Sequence, residues 1–174
     1  MDEIVLMRSD PNWRRLFESK ANKLQLVLAP ELRLRVEHFG STAVPGLLAK
    51  PIIDILVGVR TLKQAMRDAV PALDAIEYSF WADTPDKTRL FFVKGLPPNG
   101  PRTHHIHMAE MDSPLWERLL FRDYLCKHAD EAERYAKLKR TLISQFQGDR
   151  EAYTEGKTDY VAEVMKKARL EFIG

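Results

Sequence analysis

His38-Phe39-Gly40-Ser41-Thr42, followed by Lys50-Pro51-Ile52-Ile53-Asp54-Ile55, is the stretch that decides the fold. Leu34 to Phe39 alternates Leu34, Val36 and His38 against Arg35, Glu37 and Phe39, the spacing of a short strand. Gly40-Ser41-Thr42 then reads as a turn. Ala43 to Ala49 reads as a short helical stretch with Pro45 in its first turn, ended by Pro51. Ile52 to Val59 is nearly all apolar and β-branched, as a strand buried on both faces is, and its one charge is Asp54. A Gly-Ser pair between a strand and a helix start exposes backbone N–H groups and a hydroxyl, which can cradle phosphate. A carboxylate in an apolar strand is costly to bury unless it is paired or bound to a metal. Together they point to phosphate held beside a metal-binding acid. The ordinary alternative is Ser41 as a helix cap and Asp54 as a strand-end acid held by backbone hydrogen bonds.

Working outward, Asp10 to Leu28 has an amphipathic helical pattern, with Asp10 as cap, Pro11 in the first turn and Pro30 beyond the end. Thr61 caps a helix running to Leu73. Three further strands are expected at Ile76 to Trp81, Arg89 to Lys94 and Thr103 to Glu110, with the Pro- and Gly-rich run 95–101 as the loop between the last two. From Ser113 onward only helical signals remain: one helix capped by Ser113, one from Asp130 to Phe146, and one from Glu151 to Phe172. The pattern predicts a mixed α/β core over 1–111 and a helical extension over 112–174, within a single domain.

The second chemical cluster is Arg102-Thr103-His104-His105-Ile106-His107-Met108. In a strand, His105 and His107 share a face and Ile106 and Met108 take the other. Two histidines at that spacing plus a carboxylate make a two-His-one-carboxylate metal set, here Asp54, His105 and His107. They can equally hydrogen-bond phosphate oxygens or form a solvated strand face. Lys50 and Arg102 are candidates for offsetting phosphate charge. Arg122 and Lys139 lie on helices, where a salt bridge is the usual explanation. Cys126 reads as a packing residue.

At 174 residues the chain suffices for one domain with a real core, and 45% hydrophobic and 30% charged residues mark a globular protein. The net charge is +2 and evenly spread, with twelve basic and twelve acidic residues from Asp112 to Gly174. No polyanion-binding surface is announced, so nucleic acid is not the expected partner. One cysteine excludes an internal disulfide and a cysteine zinc cluster. The opening MDEIVLMRSD lacks a secretory pattern, and PGLLAKPIIDILVGV is broken by Lys50 and Asp54 and too short to span a bilayer. A cytoplasmic location without membrane association is the expectation; the oligomeric state is not encoded in any motif.

The blocks at 38–46, 50–55 and 102–107, with Phe121-Arg122-Asp123-Tyr124-Leu125, Tyr135-Ala136-Lys137-Leu138-Lys139, Tyr153 and Lys157, resemble the GrpB family over nearly the whole chain. That family is grouped with the nucleotidyltransferase-like superfamily typified by DNA polymerase β. The resemblance implies a nucleotidyltransferase-like α+β fold in which Gly40, Ser41 and Thr42 hold a triphosphate and Asp54 matches the first metal-binding acid. It also implies a divalent metal, Mg or else Mn or Zn, with a nucleoside triphosphate as substrate. The second acid of that pattern falls at Leu56. A two-metal clamp needs bridging acids, so the chain is expected either to transfer a nucleotidyl group to a small molecule or protein, with Asp54 and Ser41 in the catalytic site, or to be a non-catalytic nucleotide-binding or interaction module. A transition-metal site on Asp54, His105 and His107 is the third reading.

Overall fold

The computed structural model describes residues 5–96, 100–146 and 148–174. Its elements, in chain order, are α1 (Asn12–Val27), β1 (Arg35–Phe39), β2 (Ile53–Val59), α2 (Leu62–Asp74), β3 (Tyr78–Phe80), β4 (Leu90–Lys94), β5 (His104–Glu110), α3 (Arg118–Lys127), α4 (Ala129–Phe146), α5 (Arg150–Glu155) and α6 (Thr158–Phe172). Pro97, Pro98 and Asn99 of the expected 95–101 loop lie outside the described residues.

The five strands form one mixed sheet in the order β1-β2-β5-β4-β3, with β2 and β5 parallel at its centre and the other pairs antiparallel. Strand alternation sorts the side chains. Ile53, Ile55, Val57, Ile106 and Met108 pack with Trp13 and Leu24 of α1 and Ala65, Ala69 and Leu73 of α2. Leu56 and Ala109, from the opposite face, pack with Phe39, Leu115 and Leu119. Burial of this kind, at about 25 cal/mol per Å² of apolar surface, is the main force holding the layers. The helix starts follow the sequence: Asp10 accepts the N–H of Asn12 (2.8 Å), and Thr61 that of Gln64 (3.2 Å).

Two expected helices are corrected. Residues 43–49 do not form one: a 3₁₀ turn covers Ser41–Ala43, and Ala49 instead pairs with Met7 as an isolated bridge. Pro45 has no N–H, Gly46 sits at φ +79°, and the hydrogen bonds from Ala43, Val44 and Leu47 span three residues. The expected 151–172 helix is two, α5 and α6, broken at Gly156–Lys157. A Cβ at Gly156 would lie 2.5 Å from Leu142 Cδ2 on α4, so glycine permits the close turn. The helical extension packs Tyr124, Leu125, Tyr135, Ala136, Val164 and Ala168 against Val44 and Leu47, covering the segment that links β1 to β2. No described helix is long and apolar enough to cross a membrane.

Candidate phosphate site with an acid–histidine floor

Pairing of β1 with β2 sets Phe39 opposite Asp54, and pairing of β2 with β5 sets Asp54 opposite His105 and Leu56 opposite His107. The chain leaves β1 through Gly40, at φ +73°. A Cβ there would stand 2.6 Å from Asp54 Oδ2, so this turn can close over the carboxylate only as glycine. Beyond it, Ser41, Thr42, Lys50, Ile52, Asp54 and His105 line one cavity of about 160 Å³, whose far wall is Tyr135, Lys139, Tyr153 and Lys157 of the helical extension.

The floor is a hydrogen-bonded acid–imidazole group. His105 Nδ1 lies 3.1 Å from Asp54 Oδ1, and His107 Nε2 lies 3.6 Å from the same oxygen. Burial alone would raise the Asp54 pKa, but the two imidazoles outweigh it and hold the carboxyl well below the usual range. Burial dominates at His107 and pushes it down to about 4 against the pull of Asp54. Both directions describe an ionised carboxylate beside a neutral His107 imidazole. His107 Nδ1 meets the Arg89 guanidinium, which fixes its proton on Nε2, toward Asp54. His105 Nε2 is buried without a hydrogen-bond partner.

The wall is cationic. Lys139 is 2% exposed. Its ammonium donates to Ser41 Oγ (3.2 Å) and to the Leu48 carbonyl, and stands 4.6 Å above the Tyr135 ring. Burial, then Lys157, Arg140 and Lys50, push its pKa down to about 7. Lys157, likewise lowered to about 8 chiefly by burial, and Lys50 lie over the Tyr153 ring, at 4.2 and 4.6 Å. Burial raises Tyr135 to about 12. Among the described residues, three lysines thus surround a cavity in which Asp54 is the one acid.

Of the residues expected from sequence, Ser41, Thr42, Lys50, Asp54 and His105 meet at this cavity. Gly40 packs on Asp54 without lining it. Thr42 donates inward to the Ile52 carbonyl (3.2 Å) and faces His38 Nε2 (3.0 Å), so its hydroxyl braces the turn. Arg102 is not among the lining residues; its guanidinium lies 5.2 Å over the Trp81 ring. His107 lies deeper, between Phe39 and Phe91. Arg122 does form the expected salt bridges, to Asp123 and Glu37. Lys139 does not behave as a helix-surface residue, and with Lys157, Tyr135, Tyr153 and Arg89 it was missed as a site residue. The available signal was a lysine four residues after Tyr135, on the apolar stripe of α4.

Asp54, His105 and His107 bring three ligand atoms within 4.8 Å of one another, a possible metal group. Its chemistry does not fit a magnesium pair, which takes oxygen ligands and bridging acids. Among the described residues, Asp54 is the one carboxylate at the cavity, and Leu56 is fully buried among Phe39, Ala109, Leu115 and Leu119. A single ion that accepts imidazole suits the donor set better. Ligation through His107 Nε2 would put the remaining proton on Nδ1, against the Arg89 guanidinium, so Arg89 would have to swing away.

Comparison with known proteins places this geometry. The chain is 44% identical over 171 residues to a UPF0157 protein of Pseudomonas aeruginosa, covering 96% of this chain and 68% of that one. It also matches part of a dephospho-CoA kinase of Mycolicibacterium paratuberculosis, 26% identical over 95% of this chain and 46% of the kinase. Among solved structures, GrpB from Enterococcus faecalis superposes with a TM-score of 0.86 at 30% identity, over 98% of this chain and all of that one. The Cid1 poly(U) polymerase superposes with a TM-score of 0.54 at 15% identity, over 80% of this chain and 43% of the polymerase, which identifies a nucleotidyltransferase fold. The family model described as GrpB protein matches residues 3–167, and the chain belongs to that family.

Proposed function

We propose that this protein binds a nucleoside triphosphate, or another small phosphorylated ligand, in the cavity between the Gly40-Ser41 turn and the helical extension. One observation carries the reading: Lys50, Lys139 and Lys157, from three separate segments, converge beside Ser41 with one acid among them. Cations gathered in a low-dielectric cavity repel one another, and an oxyanion is the ligand that relieves the repulsion. The polymerase of the same fold was solved with Mg and 3'-dATP, and a relative over part of its length is named as a kinase, both consistent with a phosphate-bearing ligand. Ser41 and the turn backbone would hold phosphate oxygens, with the lysines offsetting their charge. Nucleotidyl transfer by a two-magnesium route is the less favoured activity, because Leu56 occupies the position of the second acid. Calorimetric titration with ATP and with tripolyphosphate, each with Mg²⁺ and with EDTA, tests the reading. Binding that persists in EDTA and falls at least about tenfold in Lys50→Gln or Lys157→Gln is expected, one charge-assisted hydrogen bond being worth about 1.5–3 kcal/mol. No binding of either anion refutes the assignment.

A second reading rests on the three ligand atoms within 4.8 Å: a single zinc-like ion on Asp54, His105 and His107. Zinc titration of the protein and of Asp54→Asn decides it. A stoichiometric, Asp54-dependent heat supports the ion; identical titrations of the two proteins remove it.

A further inference from the structure

A second cavity, of about 320 Å³, lies at the α1 side of the sheet, between α1 and the start of β3. His104, on that face, alternates with His105, which faces the Ser41 cavity, so the two cavities open on opposite faces of the sheet. Its floor is Tyr78, 2% exposed, whose hydroxyl is buried with no hydrogen-bond partner. Around it stand Lys20 and Lys23 of α1 and Lys94 of β4. Lys94 is positioned by Glu77, which takes the strained left-handed φ of +68°: the ammonium donates to Ile76 O at 2.9 Å and to Glu77 Oε2 at 2.8 Å, and lies 5.5 Å over the Tyr78 ring. Burial and then Lys94 lower the pKa of Lys20, with Glu77 opposing. Leu26, 83% exposed, and Ile76 give the cavity an apolar lip.

A buried phenol without an acceptor, three amines and an exposed leucine share one complement: an acceptor-rich anionic head on an apolar body. We propose that this cavity is a second ligand site, for an organic anion whose oxyanion head sits among Lys20, Lys23 and Lys94, accepting from the Tyr78 hydroxyl, with its apolar body on Leu26 and Ile76. The site is independent of the Ser41 cavity and of the nucleotide reading.

Methyl-labelled protein titrated with phenyl phosphate, and separately with inorganic phosphate, distinguishes the two cavities by nuclear magnetic resonance. Saturable shifts of the Leu26 and Ile76 methyls report this site, whereas Leu48 and Ile52 report the other. Phenyl phosphate is expected to bind here more tightly than inorganic phosphate. The double variant Lys20→Gln/Lys23→Gln, at one half-buried and one exposed position of α1, should bind it about tenfold more weakly or worse. Tyr78→Phe should weaken it about fivefold, the loss of one hydrogen bond. Shifts confined to Leu48 and Ile52, or lysine variants that bind as tightly as the parent, overturn the proposal.

Discussion

Lys139→Met should make the ligand-free protein more stable and less responsive to phosphate. The ammonium is pushed from 10.5 to about 7, which corresponds to about 5 kcal/mol against the charged form. Burial sets that direction and the groups facing it add to it: Lys157, Arg140 and Lys50 are cationic, Tyr135 is held neutral, and Ser41 Oγ and the Leu48 carbonyl are its acceptors. Between pH 7 and 10.5 the unfolded chain binds more protons than the folded one, so stability rises with pH across that window and the full penalty is present below it. Methionine removes the penalty and keeps the volume, but leaves the Leu48 carbonyl without its donor, a loss of about 1–3 kcal/mol. The net gain at pH 6 is about 2–4 kcal/mol, roughly 5–15 °C in Tm for a chain of this size. Melting curves at pH 6 and pH 9, with and without tripolyphosphate, check it. The parent should gain stability from pH 6 to 9, and gain most from the anion at pH 6; the variant should start higher and respond less to both, the remaining pH response coming from Lys157. A variant that melts below the parent at pH 6, with the anion response intact, would make Lys139 a tie between α4 and the Ser41 turn, and would refute the repulsion reasoning.

Gly40→Ala should cost about 2–4 kcal/mol by urea denaturation, because a Cβ meets Asp54 Oδ2 at 2.6 Å and φ is +73°; a neutral result would mean that the turn can back away from the carboxylate. Leu56→Asp should lose about 4 kcal/mol or more, since the carboxylate enters a fully buried apolar cluster, with part of the loss recovered in Mg²⁺ or Mn²⁺ and no pyrophosphate released from ATP. Robust pyrophosphate release by this variant alone would identify a suppressed transferase. His38 is lowered from 6.5 to about 4, chiefly by burial, so stability should fall by about 3 kcal/mol as the pH drops through that window. His38→Gln, which keeps an amide near Thr42, should flatten this slope when denaturation midpoints at pH 7 and pH 4.5 are compared.

The strands were legible because their chemistry is local. Ile53, Ile55 and Val57 alternate with Asp54 and Leu56, and one glance at period two separates the core face from the site face. Asp54 drew notice for the same reason, as a lone charge in an apolar run, and so did the doublet of His105 and His107. Residues 43–49 misled because helix propensity says nothing of where carbonyls find donors: Gly46 N donates to Ser9 Oγ, a partner 37 positions away, and Ala49 pairs with Met7. Lys139 and Lys157 were illegible as site residues for a different reason. A lysine on a helix such as α4, or in a turn between helices such as Lys157, is ordinarily solvated, and only the docking of the helical extension on Val44 and Leu47 turns these two inward.

That docking also explains how an acid-poor floor and a lysine-rich wall belong to one design. In a two-metal site, cations bound by the floor neutralise the phosphates, and the floor must supply enough carboxylates to hold them. Here the floor has one carboxylate, and both imidazoles share one of its oxygens, Oδ1. Leu56, where a second acid would stand, lies at 0% exposure. The positive charge beside Ser41 comes instead from covalently attached ammonium groups, two of them delivered by the helical extension. The two halves of the site are therefore interdependent: without residues 112–174 the turn at Ser41 would face solvent with Lys50 as its nearby lysine, and Val44 and Leu47 would lose their cover.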